Sequence, residues 1–149
     1  MSTRNRKNCE GFTLVELMVV AVIVAILAAV AIPLMSANKM RARVTEAESA
    51  LGTVRSAMRA LLAETEAYNV DINGNAIVAG SIAGVVPGIR AGDLDGRWFS
   101  DEAYTITSIT ASNYVIQAKG DDSTATKNTE VAGVVITMDE DGELTRSGI

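Results

Sequence analysis

The sequence predicts an α+β protein: a long N-terminal α-helix, its N-terminal half fit to cross a membrane, packed on a small antiparallel β-sheet head. Three observations predict it. Residues 17–38 carry no charge, residues 40–61 repeat an apolar side chain at steps of four and three, and after residue 96 short alternating runs rich in β-branched and aromatic residues take over. The 149 residues leave room for one modest core, and the 48% hydrophobic content is raised by the apolar segment.

The chain opens with a basic stretch, residues 1–11, carrying Arg4, Arg6 and Lys7 against Glu10. It leads into Gly11-Phe12-Thr13-Leu14-Val15-Glu16-Leu17 and an apolar run reaching Met35. At about 1.5 Å per residue, residues 17–38 span a hydrocarbon core of about 30 Å. Glu16 is the one charge between Phe12 and Lys39. A charged side chain in the membrane interior costs about 2.5–3.5 kcal/mol on insertion scales, so Glu16 calls for a partner or a purpose. An ordinary secretory signal is the lesser reading, because the run is long for an h-region and continues past the small residues Ala29-Val30-Ala31. A plain membrane anchor is the stronger alternative. Charge counting leaves the orientation tied, with Arg4, Arg6 and Lys7 before the run and Lys39, Arg41 and Arg43 after it.

The Gly11/Phe12 junction, the glutamate five residues into a chain beginning at Phe12, and the following Pro33 resemble a type IV prepilin or a type II secretion pseudopilin, the prepilin-like group. The resemblance covers residues 4–33. It implies the type IV pilin fold, cleavage between Gly11 and Phe12 by prepilin peptidase on the cytoplasmic face, and methylation of the new Phe12 amine. The precursor would then be a single-pass inner-membrane protein with a cytoplasmic N-terminus. It would pass to a surface pilus or a periplasmic pseudopilus. Self-assembly through the N-terminal helix is implied, with an assembly ATPase, an inner-membrane platform protein and an outer-membrane secretin as further partners.

Residues 12–35 are expected to form the transmembrane and filament-core helix. Along a helix, Glu16 would lie about 6 Å from the Phe12 amine, which favours pairing with the amine of a neighbouring subunit shifted along the axis. An unpartnered charge in such a bundle is costly, so the pair would select register. Pro33 removes a backbone donor and crowds residue 29, a point of bending. Related filaments imply a helix that can loosen ahead of this proline, over residues 25–33 here.

Residues 36–66 continue the helix. Met40, Val44, Ala47, Leu51, Val54, Met58 and Leu61 make one apolar stripe, better suited to packing on the chain's own sheet than to a coiled coil, because Ala47 and two methionines form a soft seam. Gly52 lies inside it. Residues 67–96 form a glycine-rich connection with a turn at Asn73-Gly74, and no glycine-lysine-serine or glycine-lysine-threonine follows to make a phosphate loop.

The head, residues 97–149, is expected to hold strands at 97–100, 103–109, 113–118, 131–138 and 143–145. Trp98, Phe99, Tyr104 and Tyr114 are expected core residues. The run 120–130 reads as an exposed polar loop. Two acidic turns, one with Asp93 and Asp95 and the other with Asp139 and Asp141, read as solvated turns between strands. Calcium, with Asp121 and Asp122 joining, is the alternative, since hard oxygens at alternate positions suit that ion.

Composition excludes several chemistries. Histidine is absent, and Cys9, in the leader, is the single cysteine, so zinc sites, thiol nucleophiles, imidazole acid–base catalysis and an internal disulfide are excluded from the mature chain. Removing residues 1–11 changes the side-chain charge from 13 − 18 = −5 to 10 − 17 = −7, which disfavours nucleic-acid binding by the bulk domain. By the resemblance, the expected protein is a structural subunit of a type IV pilus-like filament, neither an enzyme nor a cofactor carrier. A type II secretion pseudopilin is the alternative, and a membrane-tethered enzyme or carbohydrate-binding module finds no convergent polar residues.

Overall fold

The computed structural model describes residues 12–120 and 129–149. The cleavage-site residue Gly11, the leader, Asp121 and Asp122, and most of the expected polar loop lie outside the described residues. The helix α1 spans Leu14–Thr65 and contains Pro33. The chain divides into two compact units, Met1–Asn38 and Lys39–Ile149.

In the first unit the helical residues are almost uniformly aliphatic, and none of those described is buried. Leu14 is 87% exposed and Leu27 65%. This segment is held as helix by its internal backbone hydrogen bonds, although it is rich in valine and isoleucine, which favour helix less than alanine or leucine.

The second unit has a core because the stripe does have something to cover. Val44, Ala47, Leu51, Val54, Met58 and Leu61 are buried, and Met40 packs at the edge. Fully burying such a side chain is worth about 1.5–3 kcal/mol, so the stripe is a principal source of stability. The helix stops where Glu66 takes a left-handed φ of 60° and its N–H donates to Leu62 O at 2.9 Å. Thr65 Oγ1 donates to Leu61 O at 2.9 Å in the same turn.

Among the described residues, the facing sheet has five strands in sequential antiparallel order: β1 (Gly80–Ser81), β2 (Tyr104–Ile109), β3 (Tyr114–Lys119), β4 (Val135–Asp139) and β5 (Leu144–Ser147). Register places Tyr104, Ala118, Ile136 and Arg146 in one cross-strand row, and Ile106, Ile116, Met138 and Leu144 in the next. Alternation then aims Tyr104, Ile106, Tyr114, Ile116, Ala118, Ile136 and Met138 at the helix stripe, and all seven are buried with it in one cluster.

Three expectations are corrected. Residues 97–100 are not a strand; the backbone donors of the first three are taken by a side chain of α1, described below. The run expected to form a strand from 131 enters the sheet only at Val135, because residues 129–131 form a 3-10 turn and Gly133 adopts φ 81°. The connection 67–96 is also more than a loop. It contributes β1, which pairs with β2, and buries Ile77, Ile82, Val86, Ile89 and Leu94. Its expected turn is present: Asp71 Oδ1 accepts from the N–H groups of Asn73 and Asn75 at 2.8 and 2.7 Å, and Gly74 has φ 84°. The Asn75 side chain, whose Nδ2 donates to Asp71 Oδ2 at 2.9 Å, and then these backbone bonds hold the Asp71 carboxyl below its usual range.

Candidate functional site

The N-terminal site is built by the start of α1. Phe12 and Thr13 precede the helix, so the distance along a helix expected between Phe12 and Glu16 does not apply to Phe12. Thr13 occupies the N-cap and Glu16 the third helical position. The Glu16 N–H donates to Thr13 Oγ1 at 3.2 Å, while Glu16 Oε2 accepts from the Thr13 hydroxyl at 3.3 Å and the Thr13 N–H at 3.5 Å. This reciprocal arrangement is a capping box, and it satisfies helix-end donors that have no intrahelical acceptor. Its signal, a threonine three residues ahead of a glutamate before an apolar run, was present in the sequence and was missed. The side chain of Phe12 is 79% exposed, as is apolar surface all along the segment. Pro33 sits within continuous helix.

A second constellation was not foreseen. Glu46, on the helix stripe's flank, accepts from three consecutive backbone N–H groups: Arg97 on Oε2 at 3.0 Å, and Trp98 and Phe99 on Oε1 at 2.8 and 3.0 Å. These bonds explain why residues 97–100 need no partner strand. Gly96 lets the carboxylate in, since a Cβ there would collide with Glu46 Oε1. No local signal could have found this contact across 51–53 residues of sequence.

Around it, Phe99 and Tyr104 are core residues as expected, 6.2 Å apart between ring centres. Trp98 packs against the edge of that core and is half-buried, with the Arg43 and Arg97 guanidinium carbons 4.5 and 4.9 Å from its ring centre. Arg43 also pairs with Glu130. Among the described residues, the buried Tyr104 and Tyr114 hydroxyls have no hydrogen-bond partner. Burial pushes the Tyr104 phenol up, assisted by the charges of Glu46, Asp101 and Asp95. Burial and Tyr68 push Tyr114 up to about 12. The Tyr114 ring meets Tyr68 edge-on at 4.8 Å.

The aspartate side chains of the acidic turns accept from nearby backbone N–H groups. Asp93 Oδ2 accepts from the Arg90 N–H at 2.8 Å, Asp95 Oδ1 from the Asp101 N–H at 3.3 Å, and Asp139 Oδ1 from the Glu143 N–H at 2.8 Å. The Asp141 carbonyl accepts from Arg55. Among the described residues, no three Asp, Glu, His or Cys side chains come together as a group able to hold a metal.

Residues 6–32 match the family model for the prokaryotic N-terminal methylation motif. The chain is 36% identical over 72 residues to the fimbrial protein EcpB of Eikenella corrodens, covering 48% of this chain and 45% of that one. It is 36% identical over 103 residues to the type IV major pilin protein PilA of Myxococcus xanthus (strain DK1622), covering 68% of this chain and 46% of that one. The matches thus span just under half the length of these curated relatives. A crystal structure of the non-core minor pilin PilV of Neisseria meningitidis aligns with 75% of this chain and 90% of that one, at 15% identity and a TM-score of 0.47. The chain is type IV pilin-like. It carries the methylation motif on an apolar N-terminal helix, joined to an antiparallel sheet domain.

Proposed function

We propose that this chain is a structural subunit of a type IV pilus-like filament, matured by cleavage between Gly11 and Phe12, methylated on the Phe12 amine, and polymerised through its N-terminal helix. The observation that carries the reading is the apolar helix segment, none of whose described residues is buried, with a single capped carboxylate, Glu16, at its start. Such a surface needs lipid before assembly and other helices after it. The helix is long and apolar enough to cross a membrane. Similarity to a fimbrial protein and a major pilin favours the pilus over the secretion pseudopilus. The role is structural, and by resemblance prepilin peptidase, an assembly ATPase, an inner-membrane platform protein and a secretin serve it.

Glu16 offers its second oxygen, Oε1, to the Phe12 amine of a neighbouring subunit and so selects register. Mass spectrometry of the mature N-terminus, together with the filament yield of Glu16→Ala in sheared surface material, tests the reading. A methylated Phe12 terminus and Glu16→Ala protein stranded in the inner membrane are expected. A chain that keeps residues 1–11, or a normal Glu16→Ala filament yield, overturns it.

A further inference from the structure

The second unit begins with a concentration of positive charge that its core does not use. Lys39 and Arg43 lie one turn apart on the same face of α1, and with Ala42 and Trp98 they line a cleft of about 290 Å³. Arg97 closes on the Trp98 ring from the neighbouring loop, at 4.9 Å. Glu130 neutralises Arg43, but Lys39, Arg41 and Arg97 have no ion pair among the described residues. In a chain of net charge −5 this is a local reversal of sign.

Chain connectivity fixes where that charge sits relative to lipid. The uncharged residues 17–38 cover about 33 Å as helix, close to the bilayer's hydrocarbon core of about 30 Å, and the headgroup layer adds about 5–8 Å on each side. Residues 39–43 occupy the next 6 Å or so. Lys39, Arg41 and Arg43 therefore fall in the headgroup layer, and Trp98 stacks directly on the last of them at 4.5 Å. Tryptophan prefers that layer because its ring is apolar and its N–H polar. Basic side chains there attract anionic headgroups.

We infer that Lys39, Arg97 and Trp98 form a docking surface for anionic phospholipid headgroups, with the Glu130-paired Arg43 holding the Trp98 ring, and that it seats the head of the unassembled subunit on the membrane. Glu46 is its positioning residue, because its carboxylate holds the backbone of Arg97 and Trp98 in place. The inference rests on the membrane-anchored precursor but not on polymerisation. Extraction into a filament would have to break these headgroup contacts.

Trp98, the single tryptophan, reports on the surface directly. The full chain is reconstituted in vesicles of phosphatidylcholine alone and of phosphatidylcholine with phosphatidylglycerol, with lipid spin-labelled at the headgroup as quencher. The expected result is a Trp98 emission shift to shorter wavelength and stronger quenching in the anionic vesicles. Both differences are lost at high salt and in the double variant Lys39→Gln, Arg97→Gln, whose thermal midpoint stays at the parent value. Equal emission and quenching in the two lipid compositions, in protein that co-floats with the vesicles, overturns the inference and leaves the anchored precursor standing. A response to added duplex DNA and not to phosphatidylglycerol overturns it in favour of a nucleic-acid surface. Failure to co-float overturns both readings.

Discussion

Replacing Glu46 with alanine removes the acceptor for three successive N–H groups. Arg97 is exposed, and water replaces its lost bond. Trp98 is half-buried and Phe99 buried, so their donors go unsatisfied at about 1–3 kcal/mol each, giving a loss of about 3 kcal/mol. For a folded unit of this size that lowers the thermal midpoint by about 10 °C. Glu46→Gln keeps one carbonyl oxygen, enough for Trp98 and Phe99, and turns an amide N–H₂ toward the Arg97 N–H; it loses about 1–2 kcal/mol. The ordering wild type, Gln, Ala is therefore the signature. Urea unfolding of the detergent-solubilised chain, followed by Trp98 emission, measures it through the midpoint at constant slope. If Glu46→Ala lies within about 0.5 kcal/mol of wild type, the carboxylate does not hold this loop and the reasoning fails.

Gly96→Ala tests the same contact from the other side: a methyl group placed on the Glu46 carboxylate displaces it, so the unfolding midpoint should fall and the double variant Gly96→Ala, Glu46→Ala should lose less than the sum of its parts. Thr13→Val removes both side-chain arms of the cap and costs about 1 kcal/mol locally, read as faster hydrogen exchange at the amides of residues 14–17 with the head unaffected. Tyr104 and Tyr114 have folded-state pKa values raised by burial, so the stability they contribute is complete below the ordinary tyrosine pKa of about 10 and is lost as pH rises through the folded values, about 12 for Tyr114. Urea midpoints should be flat from neutral pH to about 10 and fall above it, and the fall should begin at the same pH in Tyr114→Phe but be shallower.

The parts of the fold that were legible share a physical property: their signal is local and periodic. The stripe from Met40 to Leu61 and the alternation of Tyr104/Ile106 and Tyr114/Ile116 each report one face turned to a common core, and Asn73-Gly74 reports a turn through a glycine at φ 84°. What failed depends on remote partners. Trp98 and Phe99 read as a strand because aromatics favour strands, but their N–H groups belong to a glutamate on the helix. Strand β1 is only Gly80-Ser81, and its existence is decided by the free edge of β2. Val131 and Val134 continue the apolar pattern of β4 while lying outside the ladder, because the chain there closes on Gly120, where a Cβ would meet the Val131 carbonyl oxygen. The N-terminal cap is the exception: Thr13 lies only three residues ahead of Glu16, a local signal that the charge of Glu16 overshadowed.

On the filament reading, that cap bears on what drives assembly. Moving an apolar helix from lipid into a bundle of helices removes no surface from water, so hydrophobic burial does not choose between precursor and filament. Packing and polar groups must choose. In the single chain, Glu16 Oε2 makes intrachain contacts of 3.3 and 3.5 Å, longer than the 2.7–2.9 Å or so of a good charge-assisted bond. The cap thus lowers the cost of holding Glu16 in lipid without using its full capacity. On the filament reading, an amine from a neighbouring subunit adds a shorter bond at Oε1, while Thr13 Oγ1 can keep capping the Glu16 N–H. Thr13→Val should then reduce the stability of the precursor helix more than it reduces register selection, whereas Glu16→Gln, which keeps an acceptor for the Thr13 N–H but removes the charge, should do the reverse.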